Sequence, residues 1–113
     1  MNFSTEQKGK TTIVASNVEK LDASNAPELK SHFLLLNKTG INCIILDLSG
    51  TKYCDSSGLS AILVGNRLCK DTNGAFVICG LQENVKKMIQ IAQLDRVLQI
   101  CNSAEEALGK IEL

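Results

Sequence analysis

The stretch that decides the fold is CIILDLSGTKYCDSSGLSAIL, residues 43–63. It opens with a short apolar run, bounded by polar residues and a glycine, that is typical of a strand covered on both faces. It closes with a helical pattern that continues to about residue 70, and a second apolar run, AFVIC, follows at 75–79. This order predicts a βαβ unit whose strands, 42–47 and 75–79, lie parallel in one sheet.

The segments before this unit extend the pattern. Residues 2–7 and 10–16 predict a hairpin in which Gly9 supplies the positive φ. A helix should follow, because Ser24 or Asn25 can cap it, its apolar residues recur at helical spacing, and Gly40 can end it.

The segments after the unit repeat it. Apolar positions at 85, 88, 89 and 92 predict a third helix, RVLQIC at 96–101 a last strand, and Ser103 the cap of a terminal helix. We therefore expect an α/β fold with a mixed β-sheet of four to five strands and about four helices. No linker or repeat divides the chain, so one domain should span 1–113.

The composition disfavours several classes of function. Twelve Lys and Arg balance twelve Asp and Glu with interleaved signs, which argues against binding to nucleic acid or to an anionic membrane. The amino terminus carries no signal peptide pattern and no apolar run is long enough to span a membrane. The five cysteines are odd in number and at least ten positions apart, which predicts a reduced, cytoplasmic protein without disulfides, metal or cofactor.

The quartet Asp55-Ser56-Ser57-Gly58 lies where the first buried segment turns into the central helix. Loops at such positions are exposed above a rigid sheet and often carry function. The plain alternative is a helix cap, for which Asp and Ser are preferred residues. A cap needs only one of them, so three polar residues in a row exceed the requirement.

Catalytic interpretations of the quartet lack partners. The serine elbow G-x-S-x-G is missing and the only histidine is His32 in the first predicted helix, so acyl transfer is disfavoured. No phosphate-binding glycine motif is present, and Asp55 would repel a phosphate ligand. Cys54 could act as a nucleophile, but no base lies near it in sequence. We predict no catalytic residue.

A serine that accepts a phosphoryl group fits the quartet best. If Asp55 or Ser56 caps the helix, Ser57 at its first position keeps a free hydroxyl. A phosphate there is favoured by the helix dipole and opposed by Asp55 to a similar extent, so the domain should stay folded while a partner is repelled. Gly58, lacking Cβ, would let another backbone approach the turn.

The stretch 43–63 closely resembles the central motif of STAS domains, particularly bacterial anti-sigma factor antagonists, and the likeness extends over most of the chain. The resemblance implies a switch protein that binds an anti-sigma factor with serine kinase activity and so frees a sigma factor. The kinase would phosphorylate Ser57, amid Asp55, Ser56 and Gly58, and a serine phosphatase would reverse it. Asp22 matches an acidic position that the family uses at the partner surface.

One departure from the family pattern concerns the loop around Asp22. Family members usually carry glycine three positions before that aspartate, whereas this chain has Glu19. Because glycine adopts φ values that Glu19 disfavours, we expect the loop to follow another path. An alternative function is a STAS subunit of a transport or multi-protein regulatory complex that uses the same surface without phosphorylation.

Overall fold

A five-stranded mixed sheet forms the centre of the computed structural model, which describes residues 1–112. Its strands lie in the order β1 (Phe3–Lys8), β2 (Thr11–Ser16), β4 (Cys43–Asp47), β6 (Ala75–Cys79) and β7 (Gln99–Cys101). A separate pair joins β3 (Lys20–Leu21) and β5 (Tyr53–Cys54). The helices are α1 (Ala26–Lys38), α2 (Ser56–Asp71), α3 (Glu83–Ile91) and α4 (Ala104–Glu112).

The predicted α/β architecture is confirmed. β1 and β2 form the antiparallel hairpin, and Gly9 has a φ of 62° in its turn. β4 and β6 pair in parallel with α2 between them in the chain, which confirms the βαβ unit. The remaining sheet neighbours, β2 with β4 and β6 with β7, are also parallel.

Side-chain alternation along the central strands places a core on each face of the sheet. Ile44 and Leu46 of β4 belong to the larger cluster, together with Phe33 of α1 and Ile62 of α2. Ile45 points to the opposite face and joins a smaller cluster that includes Ala107 of α4. β4 is therefore covered on both faces, as its continuous apolar run predicts.

One detail differs from the sequence expectations. The last strand is shorter than 96–101, because Leu94–Arg96 forms a 3₁₀ turn and the carbonyl of Leu94 accepts hydrogen bonds from residues 97 and 98. Leu34 and Leu35 of α1 are 47% and 63% exposed. No helix within residues 1–112 is long and apolar enough to cross a membrane.

Candidate functional site

The short β3–β5 pair builds the site by joining two loops that lie far apart in sequence. Lys20 is opposite Tyr53 and Leu21 is opposite Cys54 in parallel register. The next backbone contact continues this line, since the amide of Asp55 donates to the carbonyl of Leu21 at 3.2 Å. Asp22 and Asp55 are therefore the first residues after two adjacent strands, and the structure brings these two predicted site residues to one surface.

Asp55 caps α2. Its Oδ1 accepts hydrogen bonds from the backbone amides of Ser57 at 2.9 Å and Gly58 at 3.1 Å. Its backbone is extended, with φ −103° and ψ −171°, as expected at an N-cap. Ser56 is therefore the first helical residue and Ser57 the second, which corrects the expectation that Ser57 stands at the first helical position.

The two serine hydroxyls take no part in capping. Within the described part of the chain, neither Ser56 nor Ser57 makes a side-chain hydrogen bond. Ser56 is exposed and Ser57 is partly buried. Ser56 is therefore not occupied by a cap, and the two serines differ in their exposure instead.

This assignment of the cap predicts the effect of Asp55→Ala. Loss of the two amide contacts should lower the free energy of unfolding by about 1 kcal/mol, measurable by urea denaturation. Ser56→Ala is the matched control and should change it by less than about 0.5 kcal/mol. An equal loss in both variants would contradict the assignment.

Gly58 is buried beneath the surface that Asp22 and Asp55 form. A Cβ built on it would lie 2.6 Å from the carbonyl oxygen of Leu21 and 2.6 Å from the sulfur of Cys54. The backbone that approaches this glycine therefore belongs to β3 of the same chain. The close packing of β3 therefore explains why glycine is required at position 58. Contact between Gly58 and a partner stays a prediction.

The loop between β3 and α1 is closed by polar contacts. Asp22 Oδ1 accepts from the backbone amide of Ser24 at 3.0 Å and from its hydroxyl at 2.6 Å. Both bonds, and chiefly the one from the hydroxyl, hold the pKa of Asp22 below its ordinary value. The charge of Lys20 acts in the same direction. Asp22 is an anion at neutral pH, at the position that the family resemblance marks.

Asn25 is the N-cap residue of α1, but its side chain does not cap the helix. Its Oδ1 accepts from the amide of Asp22 at 3.0 Å, and its Nδ2 donates to the carbonyl of Lys20 at 2.8 Å. The side chain is 9% exposed, so these bonds are shielded from water. The Asn25 side chain therefore stabilises the loop that carries Asp22.

Glu19 needs no unusual backbone conformation. It is not among the residues with positive φ, and its carbonyl accepts from the amides of Lys52 at 2.8 Å and Tyr53 at 3.0 Å. These bonds attach the start of the loop to the segment that enters β5. The glycine usual in the family is therefore not required by the backbone conformation adopted here.

Two surface hollows flank the quartet. The first, which we call the acidic depression, has a volume of about 570 Å³ and is lined by Glu19, Lys20, Leu21, Asp22, Tyr53, Cys54 and Asp55. The Lys20 ammonium lies 5.9 Å from the ring centre of Tyr53, which is 44% exposed. This hollow combines carboxylates with an aromatic face.

The second hollow, which we call the serine groove, lies between the first turns of α1 and α2. Its volume is about 330 Å³, and it is lined by Ala23, Ala26, Pro27, Lys30, Ser56, Ser57 and Ser60. Ser57 therefore faces a groove rather than a closed cavity. The acidic depression borders Asp22 and Asp55, and the serine groove borders the residues that follow each of them, Ala23 and Ser56.

The alternative nucleophile and base are not assembled into a catalytic site. Burial, followed by the charge of Asp55, raises the pKa of Cys54 to about 12, which keeps the thiol protonated at neutral pH. His32 lies 3.9 Å from the carboxylate of Glu28, and its ring packs on Phe3 at 5.8 Å. No cluster of His, Cys, Asp or Glu within residues 1–112 could hold a metal ion.

The β3–β5 pair and the contribution of Lys30 were not predicted from sequence. β3 and β5 have two residues each, which is too short for an alternating pattern that would predict a strand. Lys30 looks like an ordinary surface cation on α1, and only the packing of α1 beside α2 brings it to the serine groove. No local sequence signal could have revealed either feature.

Comparisons with known proteins agree with this architecture. Residues 2–107 match the family model of the STAS domain. The chain is 28% identical over 112 residues to the anti-sigma-B factor antagonist of Listeria monocytogenes, covering 96% of this chain and 97% of that protein. It is 25% identical over 87 residues to BtrV of Bordetella bronchiseptica, which is named as an anti-sigma factor antagonist. The match covers 77% of this chain and 75% of that protein. The crystal structure of a Thermotoga maritima protein, also named as an anti-sigma factor antagonist, superposes with a TM-score of 0.91 at 26% identity. The superposition covers 98% of this chain and 95% of that chain.

Proposed function

This chain belongs to the STAS domain family, and from that premise we propose that it is an anti-sigma factor antagonist switched by phosphorylation of Ser57. The unphosphorylated form binds an anti-sigma factor with serine kinase activity in the cytoplasm, and a sigma factor is released. A serine phosphatase restores the binding form. The protein itself catalyses no reaction in this scheme.

The observation that carries the proposal is the β3–β5 pair. It brings Asp22 and Asp55 to one surface, and Ser57, whose hydroxyl makes no hydrogen bond within the described residues, follows Asp55 by two residues and lines the adjoining serine groove. A kinase that docks on this surface reaches a partly buried serine in the first turn of the helix, while the Asp55 carboxylate, which accepts from the Ser57 amide, keeps the helix intact. The partner surface proposed here comprises Asp22, Asp55, Ser56, Ser57 and Gly58.

Phosphorylation changes this surface mainly through charge. A phosphate on Ser57 adds about −1.5 to −2 charges to a surface that already presents Asp22 and Asp55. A partner packed on the unmodified surface would have to cover an uncompensated dianion, which is costly when water is excluded. The affinity falls while the fold of the antagonist is retained.

The site of phosphorylation tests the proposal. The protein is incubated with its anti-sigma factor kinase and ATP, and the product is mapped by tandem mass spectrometry. We expect one phosphate on Ser57 in the wild type and in Ser56→Ala, and none in Ser57→Ala. Modification of Ser56 in the wild type, or no modification at all, would contradict the proposed switch.

A further inference from the structure

We propose that Lys30 is the counter-ion of the phosphate on Ser57 and holds the dianion in the serine groove. The inference deepens the proposed function and rests on it, because it assigns a residue to the phosphorylated state. Lys30 and Ser57 line the same hollow, although they belong to different helices. Neither the family match nor the family resemblance assigns a role to Lys30.

The backbone donors of α2 are largely unavailable to the phosphate. Asp55 Oδ1 already accepts from the amides of Ser57 and Gly58, and the amide of Leu59 donates to the carbonyl of Asp55. A phosphate attached at Ser57 would have to displace a carboxylate to reach these groups. A cation on another element would stabilise the phosphate without displacing this carboxylate.

The neighbouring element is α1, which runs alongside α2 in the same direction. Near their carboxyl ends, Asn37 of α1 donates to the carbonyl of Leu68 at 3.3 Å and to the hydroxyl of Thr72 at 3.2 Å. Near their amino ends, Ala26 and Lys30 face the serines across the groove. The packing thus fixes α1 in the position from which Lys30 lines the groove.

Lys30 is available for a new ion pair. Its side chain is partly buried and forms no ion pair within the described residues. The nearest carboxylate on its own helix, Glu28, is occupied by the Asn2 amide at 3.0 Å and lies near His32. Lys30 and Ser57 line the same groove, and a long flexible ammonium side chain there can turn toward a phosphate on Ser57.

The charged groups around Ser57 favour this pairing. Asp55 at the start of α2 and Asp22 in the adjoining loop are acidic, and Asp22 is engaged by Ser24. Lys30 is the cationic residue that lines the groove, and Lys20 lies on the acidic depression instead. Lys30 would therefore offset the repulsion between the new phosphate and the two carboxylates.

The experiment uses full-length protein with phosphoserine incorporated at position 57 by genetic code expansion, so it does not depend on any kinase. A ³¹P NMR titration measures the second pKa of the phosphoserine, which is ordinarily about 6. Loss of a nearby cation disfavours the dianion, so Lys30→Met should raise this pKa by roughly 0.3 to 0.7 relative to the wild-type background. Methionine keeps the apolar stem of the lysine side chain.

Two further variants complete the test. Lys38→Met removes an exposed lysine from the last turn of the same helix and should leave the phosphate pKa unchanged. Lys30→Arg should restore the wild-type value. Equal pKa values in the wild-type and Lys30→Met backgrounds, or equal shifts in the two methionine variants, would overturn the role of Lys30. Failure of the kinase to modify Ser57 would overturn the proposed function without affecting this result.

Discussion

Replacement of Ser57 by aspartate is expected to weaken binding to the anti-sigma factor by about 100-fold or more. The added carboxylate lies two residues after Asp55 on the proposed partner surface, and a partner that covers it must desolvate an unpaired charge. A hundredfold loss corresponds to about 2.7 kcal/mol, within the several kcal/mol that such a buried charge costs. Isothermal titration calorimetry with the purified partner measures the change.

Two controls separate this effect from a general effect of charge or of mutation. Ser57→Ala should bind like the wild type, because the hydroxyl makes no hydrogen bond that its loss would break. Ser31→Asp adds the same charge to an exposed position on α1 and should also bind normally. Unchanged affinity in Ser57→Asp would contradict the switch and would favour a STAS subunit that works without phosphorylation.

Replacement of Gly58 by alanine is expected to destabilise the protein by about 1–3 kcal/mol, the usual cost of overpacking a core. The new methyl group would lie 2.6 Å from the Leu21 carbonyl oxygen, and a backbone atom cannot yield without moving β3. Urea denaturation measures the loss of unfolding free energy. The same displacement would move the loop that carries Asp22, so affinity for the partner should fall as well.

Gly109→Ala is the matched control for this prediction. Gly109 also lies in a helix, but nothing comes within 4 Å of a Cβ built on it. Alanine is the better helix former, so this variant should gain up to about 1 kcal/mol. If the two alanine variants had the same stability, the contact between β3 and Gly58 would not constrain the site.

The large elements could be predicted because buried strands and helices require a local pattern of apolar residues in the sequence. The runs at 43–46 and 75–79 are apolar throughout, since both strands are covered on two faces. Ser103 predicts the start of the terminal helix, and its hydroxyl accepts from the amide of Glu106 at 3.1 Å. Such signals are local, and they identify elements independently of what packs against them.

The arrangement of the site could be predicted only in part. The quartet marks the helix start, but Asp55 and Ser56 are equally good caps by composition, and only the contacts distinguish them. The two-residue strands that align the loops carry no periodicity, and the reason for Gly58 depends on Leu21, which lies 37 positions earlier in the chain. Long-range contacts of this kind leave no local pattern.

The most direct measurement compares the affinity of the anti-sigma factor for two forms of the wild-type chain, unmodified and carrying phosphoserine at position 57. Calorimetry should give tight binding for the unmodified form and a dissociation constant raised by about 100-fold or more for the phosphorylated form. Treatment of the phosphorylated sample with a serine phosphatase should restore the original affinity. Equal affinity of the two forms would contradict the account.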